Sequence, residues 1–217
     1  MHYFDYLSLK SDPVPASIFS RAIGLQKLKA RTDSRMIDYP NVFKELESSA
    51  RFLSVRGSNS IEGIRTSDDR LESLMDRSVE PVSHDEMEIA GYRDALALIH
   101  ENHDSMQMNE DTIKELHRIM MSHTPEGGGS YKTEDNVIME IDSSGRRRVH
   151  FRPVSAKETP EAMEQLVLNY MYANQNGVEP LLLIPCFILD FLSIHPFADG
   201  NGRLSRLLTL LLLYKHE

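Results

Sequence analysis

Apolar side chains along this chain recur mostly at three- and four-residue intervals, the spacing of one face of an α-helix. Val42, Phe43, Leu46, Ala50 and Leu53 keep that rhythm behind Pro40-Asn41, a helix start signal. Ser83 with Glu86 forms a capping box ahead of Met87, Ile89, Ala90, Ala95, Leu96, Leu98 and Ile99. Asn109 is placed to cap a helix that carries Ile113, Leu116, Ile119 and Met120. Thr159-Pro160 opens another, with Pro160 at the first helical position and Met163, Leu166, Val167 and Tyr170 facing inward. Two late apolar helices, over 181–194 and 203–215, flank the segment His195–Gly202. One region breaks the helical pattern. Residues 136–142 and 146–152 are short runs of branched and aromatic residues around Ser143-Ser144-Gly145, which predicts a β-hairpin with a three-residue turn. A lone hairpin is marginal in water, so it should lean on the helices. Loops are predicted at 31–39, 76–82, 123–135 and 174–180, the third made mobile by Gly127-Gly128-Gly129. The fold class is mainly α, with one hairpin.

The length of 217 residues fits one domain with a sizeable core. Lysine and arginine total 24 against 33 aspartates and glutamates, a net charge of −9. That excess argues against nucleic acid as the main partner, because such binding neutralises phosphates with basic charge. The single cysteine, Cys186, excludes an internal disulfide and a Cys-based zinc finger, reads as core filler, and fits the reducing cytoplasm. The first six residues lack the basic start and apolar run of a secretion signal. The most apolar stretch, Leu181–Ile194, is too short to span a membrane and contains Pro185 and Asp190. Leu207–Tyr214 is almost wholly apolar and lies just before Glu217. Either preceding elements wrap it or further helices follow and the chain is truncated. The pairs His100/His103 and His117/His123 lack a neighbouring cysteine or a His-Glu-x-x-His pattern, so zinc is not expected. Arg146-Arg147-Arg148 reads as a solvated hairpin edge in preference to a nucleic-acid or target-docking patch.

The informative segment is His195-Pro-Phe-Ala-Asp-Gly-Asn-Gly-Arg-Leu-Ser-Arg206. An apolar helix ends at His195, and Pro196 prevents its continuation. Gly200 and Gly202 around Asn201 let the backbone turn its N–H groups toward one point, at the start of the next helix, where anions are favoured. Arg203 and Arg206 lie three apart, so one helix face carries both and can fork onto phosphate oxygens. Asp199 is a hard oxygen ligand suited to Mg²⁺ beside phosphates. His195 titrates near neutral pH and suits proton abstraction. Together these parts describe a metal-assisted phosphoryl or nucleotidyl transfer site.

This segment resembles the signature of the Fic (Fido) domain, His-Pro-Phe-x-Asp/Glu-Gly-Asn-Gly-Arg-x-x-Arg, with all nine specified positions present. The hairpin near 136–152 and the helix after it are similar to that family's target-docking flap. The resemblance covers roughly 40–215, leaving residues 1–40 as an N-terminal extension and 41–217 as a Fic-type helical bundle. It implies transfer of AMP from ATP to a Ser, Thr or Tyr hydroxyl of a target protein, itself included. His195 would be the base and Asp199 the Mg²⁺ ligand. Gly200, Asn201 and Gly202 would form the phosphate nest, Arg203 would contact the phosphate chain, and Arg206 would reach the γ-phosphate. Pro196 and Phe197 would be structural. Homodimerisation is a further partnership the resemblance implies.

A second family motif, Ser/Thr-x-x-x-Glu-Gly/Asn, resembles Ser58-Asn-Ser-Ile-Glu62-Gly63. The same pattern at Ser122–Gly127 contains Pro125, so no rigid helix can present its glutamate. The first copy places the chain in the N-terminally inhibited class, with Glu62 on Arg206 at the γ-phosphate position. The alternatives are a demodifying enzyme, in which Glu62 orients a water, and a nucleotide-binding regulatory module with negligible turnover.

Overall fold

Where the sequence supplies caps, the helices begin at them. The computed structural model describes residues 5–11, 13–141 and 145–216. A short 3-10 turn at Tyr6–Lys10 is followed by α1 (Ala16–Asp38), α2 (Pro40–Ile61), α3 (Asp68–Met75), α4 (His84–Asn102) and α5 (Glu110–Met120). Then come β1 (Ile138–Ile141), β2 (Arg147–Phe151), α6 (Thr159–Gln175), α7 (Pro180–Ile194) and α8 (Asn201–Tyr214). The Ser83 hydroxyl accepts the Glu86 N–H, and the Asn109 side chain accepts the Thr112 N–H at 2.8 Å, each satisfying an orphan donor of its helix. Pro40 and Pro160 stand in the first turns of α2 and α6, where no N–H is needed.

The core is built around α4, which packs on α2, α3, α5 and α8, while α7 packs on α6 and α8. Ile89, Tyr92, Ala95, Leu96 and Ile99 of α4 are buried, as are Leu204, Leu207, Leu208, Leu211 and Leu212 of α8. The apolar run Leu207–Tyr214 is therefore wrapped by preceding elements, with Leu213 its exposed large side chain. At Gly91, α4 lies against the end of α5 with no room for a side chain. A Cβ there would run into the Met120 backbone, so the absence of a side chain sets the spacing of the two helices.

β1 and β2 pair antiparallel, with Met139 opposite Val149 and Glu140 opposite Arg148. Arg148 and His150 both reach the Glu140 carboxylate, so the basic run is part of a charged, exposed hairpin. Of the expected turn, residues 143 and 144 lie outside the described residues. The first strand begins at Ile138 rather than at 136, because Asn136 is engaged elsewhere.

Two expectations need correction, and one element is new. Residues 31–38 are not a loop but the last turns of α1. Their polar run is simply exposed helix surface, and the break waits for Tyr39, the residue before Pro40. The short α3, capped by Ser67, was not anticipated. The glycine run 127–129 is held rather than free: a Cβ on Gly128 would stand 2.7 Å from the His117 carbonyl, and the Gly129 N–H donates to His117. No helix among the described residues is long and apolar enough to cross a membrane.

Glu86 does more than start α4. Its carboxylate accepts two bonds from the Arg70 guanidinium (2.9 and 2.6 Å), one from the Val82 N–H and one from the Thr66 hydroxyl. The Arg70 bonds, against an opposing effect of burial, hold its pKa down at about 2. Because the folded value lies below the unfolded one, this contribution is complete above the ordinary carboxylate range. It is lost as pH falls from about 4.5 toward 2. Thermal melts between pH 6 and 3 should show the wild type losing stability over that interval more steeply than Glu86→Gln.

Candidate active site

The segment between α7 and α8 is a loop buried at Pro196, Phe197 and Gly200 and open at Ala198 and Asp199. His195 takes a left-handed conformation (φ 51°) and donates its N–H to the Phe191 carbonyl at 2.9 Å, closing α7. Phe197 is fully buried and stacks on the His117 ring with centroids 3.8 Å apart. The Asn201 side chain accepts the Phe197 N–H (2.9 Å) and donates to the Phe197 carbonyl (2.8 Å), clipping the turn shut. Gly200 has φ 76°, and a Cβ there would meet the Met120 methyl at 2.6 Å. Glycine is thus required twice over. The bare N–H groups that open α8 follow directly.

Neighbouring elements satisfy the loop's carbonyls. Lys132 donates its N–H to the Pro196 carbonyl (2.8 Å) and its ammonium to the Ile194 carbonyl (3.0 Å) and the Asn136 side chain (2.9 Å). The Asn136 amide points donors at the His195 and Phe197 carbonyls (3.4 and 3.3 Å). His117 accepts the Gly129 N–H at Nδ1, which leaves Nε2 protonated, and Nε2 donates to the Asp199 carbonyl at 3.1 Å. Burial pulls the His117 pKa down to about 4, so the ring is neutral around pH 7.

The two arginines of the motif part company. Arg203 is buried (2 % exposed) and its Nη2 donates to Glu88 of α4 at 2.7 Å, with Asp199 at 3.4 Å. Its Nε and Nη1 are buried without a partner. Arg206 faces the end of α2. Its Nε donates to the Ser58 hydroxyl (2.7 Å), and its Nη2 to the Ser58 carbonyl (2.9 Å) and the Glu62 carboxylate (2.9 Å). Ser58 and Glu62 are four apart, hence on one face. Gly63 (φ 82°) ends the helix: its N–H bonds Ser60, and the Ile64 N–H bonds Asn59, the two bonds of a Schellman cap. The Glu62 carboxylate therefore projects from a fixed helix terminus and rests on the bare Cα of Gly202, where any Cβ would collide with it. The second copy of that motif, at 122–127, forms turns after α5 and presents no such contact among the described residues.

His195 sits half-buried in this setting. Burial lowers its pKa, as does Lys132, while the Leu192 carbonyl, Asp199 and Glu62 pull it back up. Its Nδ1 is buried and short of a well-aligned hydrogen bond. The Asp199 carboxylate is mostly exposed beside the start of α8. Among the described residues no three His, Cys, Asp or Glu side chains cluster to hold a metal unaided. A single carboxylate next to an anion nest, with two idle guanidinium donors near it, does suit Mg²⁺ that arrives with phosphates. Every expected site residue thus falls in one neighbourhood. Sequence reasoning missed Lys132, Asn136, His117 and Glu88. Two of these left a trace. His117 shares the apolar stripe of Ile113, Leu116 and Met120, and Glu88 that of Tyr92, Ala95 and Ile99, so each is a polar group on a buried face.

The Fic/DOC family model matches residues 107–213. A Fido domain-containing protein of Dictyostelium discoideum is 30% identical over 82 residues, 38% of this chain and 56% of that one. A ribonucleoside-diphosphate reductase small chain of Ostreid herpesvirus 1 is 34% identical over 112 residues, 48% of this chain and 19% of that one. The chain spans less than two thirds of either relative. Among solved structures, a Fic domain containing signaling protein from Bacteroides thetaiotaomicron superposes with a TM-score of 0.68 at 25% identity, covering 82% of this chain and 67% of that one. A Fic family protein from Desulfovibrio desulfuricans gives a TM-score of 0.71 at 19% identity, over 95% and 60% of the two chains. Fic-1 from C. elegans gives 0.62 at 20% identity, over 97% and 66%.

Replacing His117 by Leu keeps much of the volume but strands the Asp199 carbonyl and the Gly129 N–H. Urea unfolding should register a loss of about 1–3 kcal/mol.

Proposed function

The chain belongs to the Fic/DOC family, whose members are typically AMPylating transferases, and from that premise we propose that it is an autoinhibited protein adenylyltransferase. The observation that carries the reading is the Ser58–Glu62–Arg206 contact beside the His195 loop. The donor is ATP, the acceptor a Ser, Thr or Tyr hydroxyl of a protein in the cytoplasm, this chain included.

The N–H groups of Gly200, Asn201 and Gly202, at the positive end of α8, hold phosphate oxygens. Arg203, fixed by Glu88, offers its two idle donors to the phosphate chain, and Arg206 takes the γ-phosphate once Glu62 has left it. Asp199 would hold Mg²⁺, which would supply charge neutralisation for the phosphates. His195, kept neutral by burial, accepts the proton of the incoming hydroxyl. The hydroxyl oxygen attacks the α-phosphorus, the bond to the bridging oxygen breaks, and pyrophosphate departs.

The brake works by occupancy rather than strength. Arg206 and Glu62 are both partly exposed, and such an ion pair is worth about 0–1 kcal/mol. What it does is neutralise the guanidinium and fill the space above Gly202, so that ATP binds in a non-productive pose. Intact-protein mass spectrometry after incubation with ATP and Mg²⁺ tests this on wild type, Glu62→Gly, and Glu62→Gly with His195→Ala. We expect one AMP added to Glu62→Gly and none to the double variant. Equal labelling of wild type and Glu62→Gly at saturating ATP would remove the brake. No label on any protein that binds nucleotide would point to another donor or to a demodifying enzyme.

A further inference from the structure

Lys132 lies in the segment that leads into β1, and its side chain is buried, 6 % exposed. Among the described residues no carboxylate stands at ion-pair distance from it. Burying an ammonium without a counter-charge is expensive unless its protons find good acceptors. Two of the three protons go to the Ile194 carbonyl and the Asn136 side chain. The Ile194 carbonyl belongs to the last turn of α7, the negative end of that helix, where a cation is favoured. Burial still depresses the ammonium, to a pKa of about 8, against a smaller upward pull from Asp135.

Every polar bond of this side chain thus ends on the backbone around His195, directly or through Asn136. The Lys132 N–H adds the Pro196 carbonyl, and Asn136 reaches the carbonyls of His195 and Phe197. On the far side of the hairpin, the Asp135 carboxylate accepts the Ala156 N–H at 2.7 Å. Residues 132–136 therefore bracket the base of the hairpin and the His195 loop together.

We propose that Lys132 is a positioning residue for His195: with Asn136 it fixes the backbone of residues 194–197, and through that backbone the direction of the imidazole. The proposal rests on the reading of His195 as the base. It touches no reacting atom. Its charge also bears on the ring. Of the groups facing His195, Lys132 disfavours the protonated imidazole, while Asp199, Glu62 and the Leu192 carbonyl favour it. Burial is the larger effect, and the ammonium adds to it in keeping the ring free to accept a proton.

The test uses the full chain in the Glu62→Gly background. The His195 ring is titrated by NMR, its resonances assigned by comparison with His195→Ala, and AMP transfer is measured alongside. Lys132→Met should raise the His195 pKa and lower kcat about 10- to 100-fold, with the nucleotide KM little changed. Lys132→Arg, which keeps the charge, should leave the pKa near that of the parent. Asn136→Ala should lower kcat while the pKa stays put. A folded Lys132→Met with parental pKa and kcat would overturn the proposal. If Lys132→Met does not fold, parental kcat in Asn136→Ala overturns it instead. The titration needs no turnover. A parent that fails to transfer AMP sinks the proposed function, and the pKa shift still decides the charge of Lys132.

Discussion

Phe197 is fully buried, and with Ile194, Pro196 and Gly200 it draws much of its loop out of water, while Ala198 and Asp199 stay exposed. The buried carbonyls of the loop need donors inside the protein, and those of Ile194, His195, Pro196, Phe197 and Asp199 all have them. Lys132, Asn136, His117 and Asn201 supply them, from the approach to β1, from α5 and from the start of α8. Much of the architecture reads as a means of bringing those donors to one loop. Helix α5 delivers His117 both as the face on which Phe197 stacks and as a donor to the residue two positions beyond it. Gly91 lets α4 approach α5, and Gly200 lets the loop approach Met120, so both close contacts depend on missing side chains.

The same loop separates two kinds of arginine. Arg203 is a strut: it is buried against Glu88, and breaking a buried pair by removing one partner typically costs several kcal/mol. Arg206 is a contact point: it lies partly open to solvent, and Ser58 and Glu62 hold it by bonds that water can replace. A phosphate group competes with the second on fair terms and not with the first. This division follows from burial alone. The spacing of the two residues along α8 places both near the glycine turn that opens the helix but does not separate the roles.

How much of this was legible follows the range of each interaction. The caps at Ser83 and Asn109, the prolines that open α2 and α6, and the hairpin are local events, and local sequence reports them. So does the His195–Arg206 segment, whose glycines answer to backbone conformations a few residues wide. The Ser58–Glu62 pair was readable through the family motif, because the six-residue pattern recurs at 122–127 and only the family's order along the chain separates the copies. Its meeting with Arg206 was implied by the family resemblance alone, since no local spacing links residues 144 positions apart. Lys132 and Asn136 carry no periodicity at all, since they sit in an irregular segment and act on residues about 60 positions away. Helix α1 escaped notice for another reason. None of its residues is buried, so no inward face imposes a clean apolar rhythm on it.

The Schellman cap at Gly63 has a mechanical corollary. Because the cap locks the last turn of α2, the Glu62 carboxylate has no loop of its own to swing on. To part from Arg206 it would have to change side-chain rotamer or ride on the helix as a rigid arm. Helix α2 is 22 residues long, about 33 Å, so a tilt of about 5° around its far end sweeps the tip by about 3 Å. That sweep is about one hydrogen-bond length, and it would carry the Ser58 contacts away together with the carboxylate.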